Sequence, residues 1–169
     1  MKKSAKTLKA KTVQESQITL HHLVTPPDLN FRGFLFGGAM LKLIDQAAFV
    51  CARKHSGNYC VTASFDRVDF KDVIHLGELI TLHASVNYVG KTSMEIGVKV
   101  TAEDFEQNII RHTNSCYVTM VAVDEKGSPV PVPPLKPVTT DEIRRYKEGE
   151  ARYLQRKAEA KKKKDMNCK

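Results

Sequence analysis

Four cysteines, Cys51, Cys60, Cys116 and Cys168, are all that the 169 residues contain, and they lie far apart with no CxxC pair. Such scatter excludes a disulfide framework and predicts reduced thiols. No Cys or His pair has a chelating spacing suited to zinc, so no metal is expected. Adjacent His21 and His22 would point to opposite faces of a strand. Long apolar runs are missing as well: Lys42, Asp45 and Arg53 interrupt the most hydrophobic stretches, well short of the roughly 20 residues that span a bilayer. The basic start MKKSAKTLKAKTVQES has no apolar stretch of the roughly 7–15 residues a secretory signal needs. A cytoplasmic protein without a membrane partner is the expectation. The GxSxG turn of serine hydrolases is absent too.

What is present suits a single globular domain, with 41% hydrophobic residues along the chain. The net charge of +8 is uneven: residues 1–15 carry +4, residues 139–169 carry +5, and residues 16–138 carry −1. The expected organisation is a basic N-terminal tail (1–15), a near-neutral domain (16–138) and a basic C-terminal helix and tail (139–169). Basic ends suit polyanionic ligands, phosphorylated cofactors included. They also admit a nucleic-acid-associated protein, but the body lacks the interleaved arginines and aromatics of a single-strand binder, so no nucleic-acid partner is expected.

The hydrophobic period changes once. Residues 16–24 alternate as a strand, which Pro26 and Pro27 end. From Gly38 to about Ser56, Met40, Leu43, Ile44, Ala47, Ala48 and Cys51 recur at helical spacing, and Gly57-Asn58 supplies a C-terminal stop. Four strands then follow at 60–70, 78–89, 92–102 and 109–123, rich in Val, Ile, Thr and aromatics. Gly90-Lys91 makes a tight turn between the second and third of them. One strand, one long helix and a run of antiparallel strands predict an α+β fold with the sheet wrapped over the helix. The proline-rich segment 127–138 is expected to run extended. Thr139 and Glu142 have capping-box spacing before an amphipathic helix whose lysine run is expected to fray.

The stretch NFRGFLFGGAMLKLID, residues 30–45, carries the chemistry-bearing residues. Asp45 has Leu41, Ala48 and Phe49 as helical neighbours, so its carboxylate borders a buried face. It reads either as an edge carboxylate paired with a Lys or Arg, or as a partly desolvated catalytic group. Gly37-Gly38 reads either as a tight turn or as a helix start with uncovered N–H groups that suit an oxyanion. Eight residues of helix rise about 12 Å, whereas an attacking group must come within roughly 3–3.5 Å of a carbonyl carbon. If the Gly37 N–H holds the carbonyl, the carboxylate is therefore expected from Asp45 of a second subunit in a two-fold dimer.

Asn30-x2-Gly33-x3-Gly37-Gly38-x6-Asp45, together with VNYVGKTSMEI at 86–96, resembles the acyl-CoA thioesterases of the hot-dog superfamily, in the single-domain bacterial form of the brain-type acyl-CoA hydrolases. The likeness covers roughly residues 16–138. It implies a curved antiparallel sheet around one central helix, and dimers with composite sites that assemble into hexamers as trimers of dimers. It implies hydrolysis of acyl-CoA in fatty acid metabolism, with coenzyme A belonging to substrate and product and no separate cofactor. Asp45 would act as general base or nucleophile. Asn30 would position water or thioester from across the interface, and the Gly37 N–H would polarise the carbonyl. Gly90, Lys91, Thr92 and Ser93 would hold coenzyme A, with Arg67 and the basic C-terminal helix as further phosphate contacts. Some relatives carry Glu at the place of Asp45 and a threonine one turn later, where this chain has Phe49. A hot-dog hydratase or dehydratase is the alternative, although residues 37–53 lack the histidine such enzymes generally use. A Cys-His thioesterase built from Cys51 or Cys60 with His55 is a further one.

Overall fold

The computed structural model describes residues 8–66 and 68–167. The elements run β1 (Lys11–Thr12), β2 (Ile18–Leu23), a 3-10 turn (Pro26–Asp28), α1 (Gly37–Ser56), β3 (Tyr59–Phe65), β4 (Leu79–Val89), β5 (Ser93–Asp104), β6 (Ile109–Val123), β7 (Leu135–Lys136) and α2 (Thr140–Asn167). Five strands form one antiparallel sheet in the order β2-β4-β5-β6-β3. β1 and β7 make a small separate parallel pair.

Two periods meet in the core. Alternation along the strands sends Ile80, Leu82, Ala84 and Val86 of β4, Met94, Ile96, Val98 and Val100 of β5, and Val118 and Met120 of β6 to one face. The helical repeat of α1 presents Met40, Leu43, Ile44, Ala47, Ala48 and Cys51 to that face. Ala47, Ala48, Cys51 and Ala52 are fully buried, and their small volume lets the helix lie close on the sheet. Gly57, at φ 73°, ends α1 in the left-handed region, its N–H donating to the Arg53 carbonyl at 2.9 Å.

The end of α1 is clasped from both termini of the domain. Lys11 Nζ donates to the carbonyls of Lys54 (3.0 Å) and His55 (2.7 Å), two acceptors that the helix itself leaves open. His55 is fully buried; its Nε2 donates to the Pro133 carbonyl at 3.0 Å, so Nδ1 accepts from Ser16 Oγ at 3.1 Å.

α2 lies against β4 on the sheet's other face. There Glu95, neighbour of core residues Met94 and Ile96, points away from α1. Its carboxylate, 1% exposed, takes Arg152 Nη2 at 2.6 Å and Arg156 Nη2 at 3.0 Å, while Arg156 Nη1 reaches Asp66 at 2.7 Å. Arg152 also stacks 3.7 Å over the Tyr117 ring. Three elements depart from the expectations above. The strand read at 60–70 stops at Phe65; beyond it the chain keeps single backbone bonds to β6, Asp66 N–H to the Tyr117 carbonyl (2.9 Å) and Lys71 N–H to the Thr113 carbonyl (3.2 Å), in place of a continuous ladder. The extended proline-rich stretch contains β7, held by Lys11 N donating to the Pro134 carbonyl at 2.9 Å. α2 continues through the lysine run to Asn167, where fraying was expected.

Candidate active site

The loop ahead of α1 is folded by Asn30. Its backbone N–H donates to the Phe34 carbonyl (2.7 Å) and its own carbonyl accepts from Gly33 N–H (3.0 Å). Its side-chain Oδ1 accepts from the N–H groups of Arg32 (2.8 Å) and Phe34 (3.3 Å). Gly33 takes φ 81°, open to glycine and strained for other residues. With Oδ1 occupied inside the turn, the amide Nδ2 is the group Asn30 offers outward, a donor.

α1 begins with an uncovered N-terminus. Its N-cap is Phe36, which provides no side-chain hydrogen bond, in place of the Ser, Thr, Asp or Asn that usually accept from the first helical N–H groups. The Gly37 N–H lies among those without an intrahelical partner. Gly37 and Asn30 share a hollow of about 250 Å³, walled by apolar Phe34, Leu35, Met40, Phe70, Val73 and Ile74.

That wall is anchored to the sheet. Asn114, itself buried, donates through Nδ2 to the Asp69 carbonyl at 2.8 Å. Arg111 reaches Asp72 (2.8 Å), buried Glu78 (2.9 Å) and the Val73 carbonyl (2.9 Å), and burial-competing ion pairs with Glu78 and Asp72 raise its pKa further above the ordinary arginine value. Leu35 N–H donates to the Ile74 carbonyl at 2.8 Å, tying the Asn30 loop to the same wall.

Asp45 stands two turns further along α1 and does not line this hollow. Its carboxylate Oδ1 instead accepts from Thr62 Oγ1 of β3 at 2.5 Å. Phe49 stands where some relatives carry a threonine, and the hydroxyl beside Asp45 belongs to Thr62 of a strand. Thr62 lies two residues from buried Cys60 in β3, so alternation gives the face it occupies but not its partner. Within one chain, then, Asn30 meets Gly37 and Asp45 meets Thr62, and the two pairs stand apart.

Gly90, Lys91 and Thr92 join β4 to β5, and Ser93 opens β5. The turn closes through Gly90 N–H on the Ser93 carbonyl at 2.8 Å; the Lys91 and Thr92 carbonyls accept from Val132 N–H (3.2 Å) and Ala122 N–H (3.0 Å). Lys91 is exposed, and Tyr153 of α2 packs over Gly90. In register, Met94 pairs with Met120 and Met120 with Thr62, so the turn and the Asp45–Thr62 pair occupy the same end of the sheet. Arg67 lies outside the described residues. Among those residues, no group of His, Cys, Asp and Glu is placed to hold a metal ion, and no helix is long and apolar enough to cross a membrane.

The cysteines do not form a nucleophilic pair. Burial pushes the Cys51 and Cys116 thiols up to about 12 and raises Cys60 as well. Cys60 Sγ contacts Ser56 Oγ at 3.3 Å, and both ring nitrogens of His55 are spent on Ser16 and Pro133. The Cys-His alternative is therefore excluded: a protonated thiol without a free base is a poor nucleophile.

A curved antiparallel sheet wrapped on one central helix, with a glycine helix start beside an asparagine turn, defines a hot-dog-fold thioesterase. Residues 32–107 match the Thioesterase superfamily model. The chain is 47% identical over 135 residues to the Helicobacter pylori (strain ATCC 700392 / 26695) protein VdlD, covering 80% of this chain and 77% of that one. It is 40% identical to a solved apo-hexameric acyl-CoA thioesterase, over 90% of this chain and 98% of that one, with a TM-score of 0.86. A Staphylococcus aureus acyl-CoA hydrolase, solved with butyryl coenzyme A and coenzyme A, is 34% identical, covering 93% and 96% of the two chains at a TM-score of 0.84. That hydrolase has also been solved with an asparagine, an aspartate or a threonine replaced by alanine. The present chain belongs to the thioesterase superfamily.

Proposed function

We propose that this protein hydrolyses acyl-CoA thioesters to a free carboxylic acid and coenzyme A at sites shared between two protomers. The observation that carries the reading is the separation of two half-sites: donors at Asn30 and Gly37 line one hollow, and the Asp45 carboxylate with its Thr62 partner stands outside it. A thioester carbonyl needs both, so the carboxylate is supplied to the Asn30 hollow by the other copy. β3 offers the surface for pairing: it is an edge strand with Tyr59, Val61 and Phe65 exposed, a row of open backbone groups and apolar side chains suited to a second copy. The three residues altered in the Staphylococcus aureus hydrolase match Asn30, Asp45 and Thr62 in type, and they are spaced alike along the two chains.

The chemistry follows from these groups. The Asn30 Nδ2–H and the Gly37 N–H, the latter at the positive end of α1, polarise the carbonyl and receive the negative charge of the tetrahedral intermediate. Asp45, held by the Thr62 hydroxyl, acts on the carbonyl carbon directly or takes a proton from attacking water. The thiolate of coenzyme A departs. Its phosphates are assigned to the turn of Gly90, Lys91, Thr92 and Ser93, where an exposed ammonium and hydroxyls supply donors, with Arg67 and α2 as further cations. Dimers are expected to assemble as trimers of dimers, as the hexameric relative supports, and the free, buried cysteines accord with work in the cytoplasm.

The test is a panel of acyl-CoAs of graded chain length with a thiol reagent to read coenzyme A release. Turnover of at least one member is expected, lost in Asp45→Ala. A panel without thiol release sinks the activity, and an undiminished Asp45→Ala sinks the site.

A further inference from the structure

A second cavity, of about 480 Å³, opens between α2 and the sheet and is touched by no residue of α1. Asn87 stands at its floor. This residue is the extra one at the bulge of β4, where pairing steps from Val86 to Tyr88, a distortion that re-aims a side chain. Asn87 is only 4% exposed, lines the cavity, and has no side-chain hydrogen-bond partner among the described residues. Gly97 beside it makes the room: a Cβ there would stand 2.6 Å from Asn87 Nδ2. The amide lies against Gly97 yet is open to the cavity, since among the described residues Thr119 Oγ1 is the buried side-chain polar atom left without a partner, so Asn87 presents its donors and acceptor to whatever fills the space.

The wall is cationic. Arg144 is matched by Asp141 and Glu148, and Arg145 by Asp141. Lys99, two residues from Gly97 and about 7 Å along the strand, has no carboxylate partner among the described residues. It pairs in register with His83 on one side and Ser115 on the other, both of which line the cavity.

We propose that this cavity binds a small organic anion, apart from the Asn30 and Asp45 machinery: Lys99 takes its charged oxygens and the Asn87 amide takes a hydroxyl or carbonyl. The anionic group is a phosphate or a carboxylate, both of which Lys99 recognises through charge-assisted hydrogen bonds.

Calorimetric titration of the full chain with citrate and with glycerol 3-phosphate distinguishes the two sources, with glycerol as the neutral control. At least one anion binds and glycerol does not. Lys99→Gln and Asn87→Ala each weaken that binding by about tenfold or more, and Asp45→Ala leaves it unchanged. Ligand-free Asn87→Ala melts no lower than the parent, since no hydrogen bond is removed. Binding of neither anion, or equal binding by both variants, overturns the proposal. So does loss of binding in Asp45→Ala, a markedly lower melting temperature for Asn87→Ala, or a crystal structure of the assembly with a neighbouring subunit's side chain filling the cavity.

Discussion

At the scale of the residue, Asn30 has two jobs carried by different atoms. Oδ1 folds the turn through Arg32 and Phe34, while Nδ2 is the outward donor. Asn30→Asp keeps the acceptor and the shape and removes the donor, so it should fold with a melting temperature near the parent's and lose roughly 100- to 1000-fold in kcat, the scale of one oxyanion donor. Asn30→Ala should lose both activity and stability. Measuring kcat beside thermal unfolding separates the two; an active Asn30→Asp would remove the amide from the reaction. Asn30 enters through the resemblance to the thioesterases, whereas Gly37 and Asp45 can be singled out in the sequence because the helix and its glycines leave a local pattern. Thr62 cannot be singled out that way. Its meeting with Asp45 depends on how β3 lies across α1, a contact 17 residues apart that no local period encodes.

At the scale of the element, the clasp on α1 carries a pH dependence. Burial is the largest cause lowering the His55 pKa, opposed by its hydrogen bond to Pro133. The unfolded chain takes up this proton near the ordinary histidine value of about 6.5, and the folded protein only at lower pH. The stability conferred by neutral His55 is therefore complete above that value and declines as pH falls from there through the folded pKa. Melting temperatures measured from pH 8 to pH 5 should fall on the acid side, and His55→Gln, less stable at neutral pH, should show a flatter profile. An unchanged slope in that variant would assign the acid sensitivity elsewhere.

Gly149 of α2 tests the second helix by setting two magnitudes against each other. Alanine is favoured over glycine inside a helix by about 1 kcal/mol. Here, however, a Cβ would stand 2.9 Å from Tyr88 Cβ and 3.0 Å from Glu95 Oε1, and overpacking of that kind costs about 1–3 kcal/mol. The contact outweighs the propensity, so Gly149→Ala should lower the melting temperature, and a rise would show that α2 lifts from the sheet at little cost. The helices and long strands are legible from the change of period after Gly57, because one buried face on each element leaves a regular trace. β1 and β7 are not, since two-residue pairings formed by distant segments have no period. Nor is the Glu95 network, whose acid sits between Met94 and Ile96 and gains its arginines only when α2 folds back.

At the scale of the whole molecule, the separation of the half-sites makes a quantitative demand on the assembly. If each site takes Asn30 from one protomer and Asp45 from its partner, then Asn30→Ala and Asp45→Ala subunits are each inactive alone and complement each other when mixed. One site of a mixed dimer receives both intact residues and the other receives neither. Random pairing of equal amounts makes half the dimers mixed, so about a quarter of all sites regain the full set. In a trimer of randomly paired dimers nearly every particle carries both variants, so co-expression under different affinity tags and purification through both should leave that share at about a quarter of the sites, read as kcat per protomer. Complementation fails if both groups act from one chain, because every site then carries one of the two lesions. The same preparation diluted until the assembly dissociates should lose turnover with the loss of dimer, since an isolated protomer holds the donors in one place and the carboxylate in another.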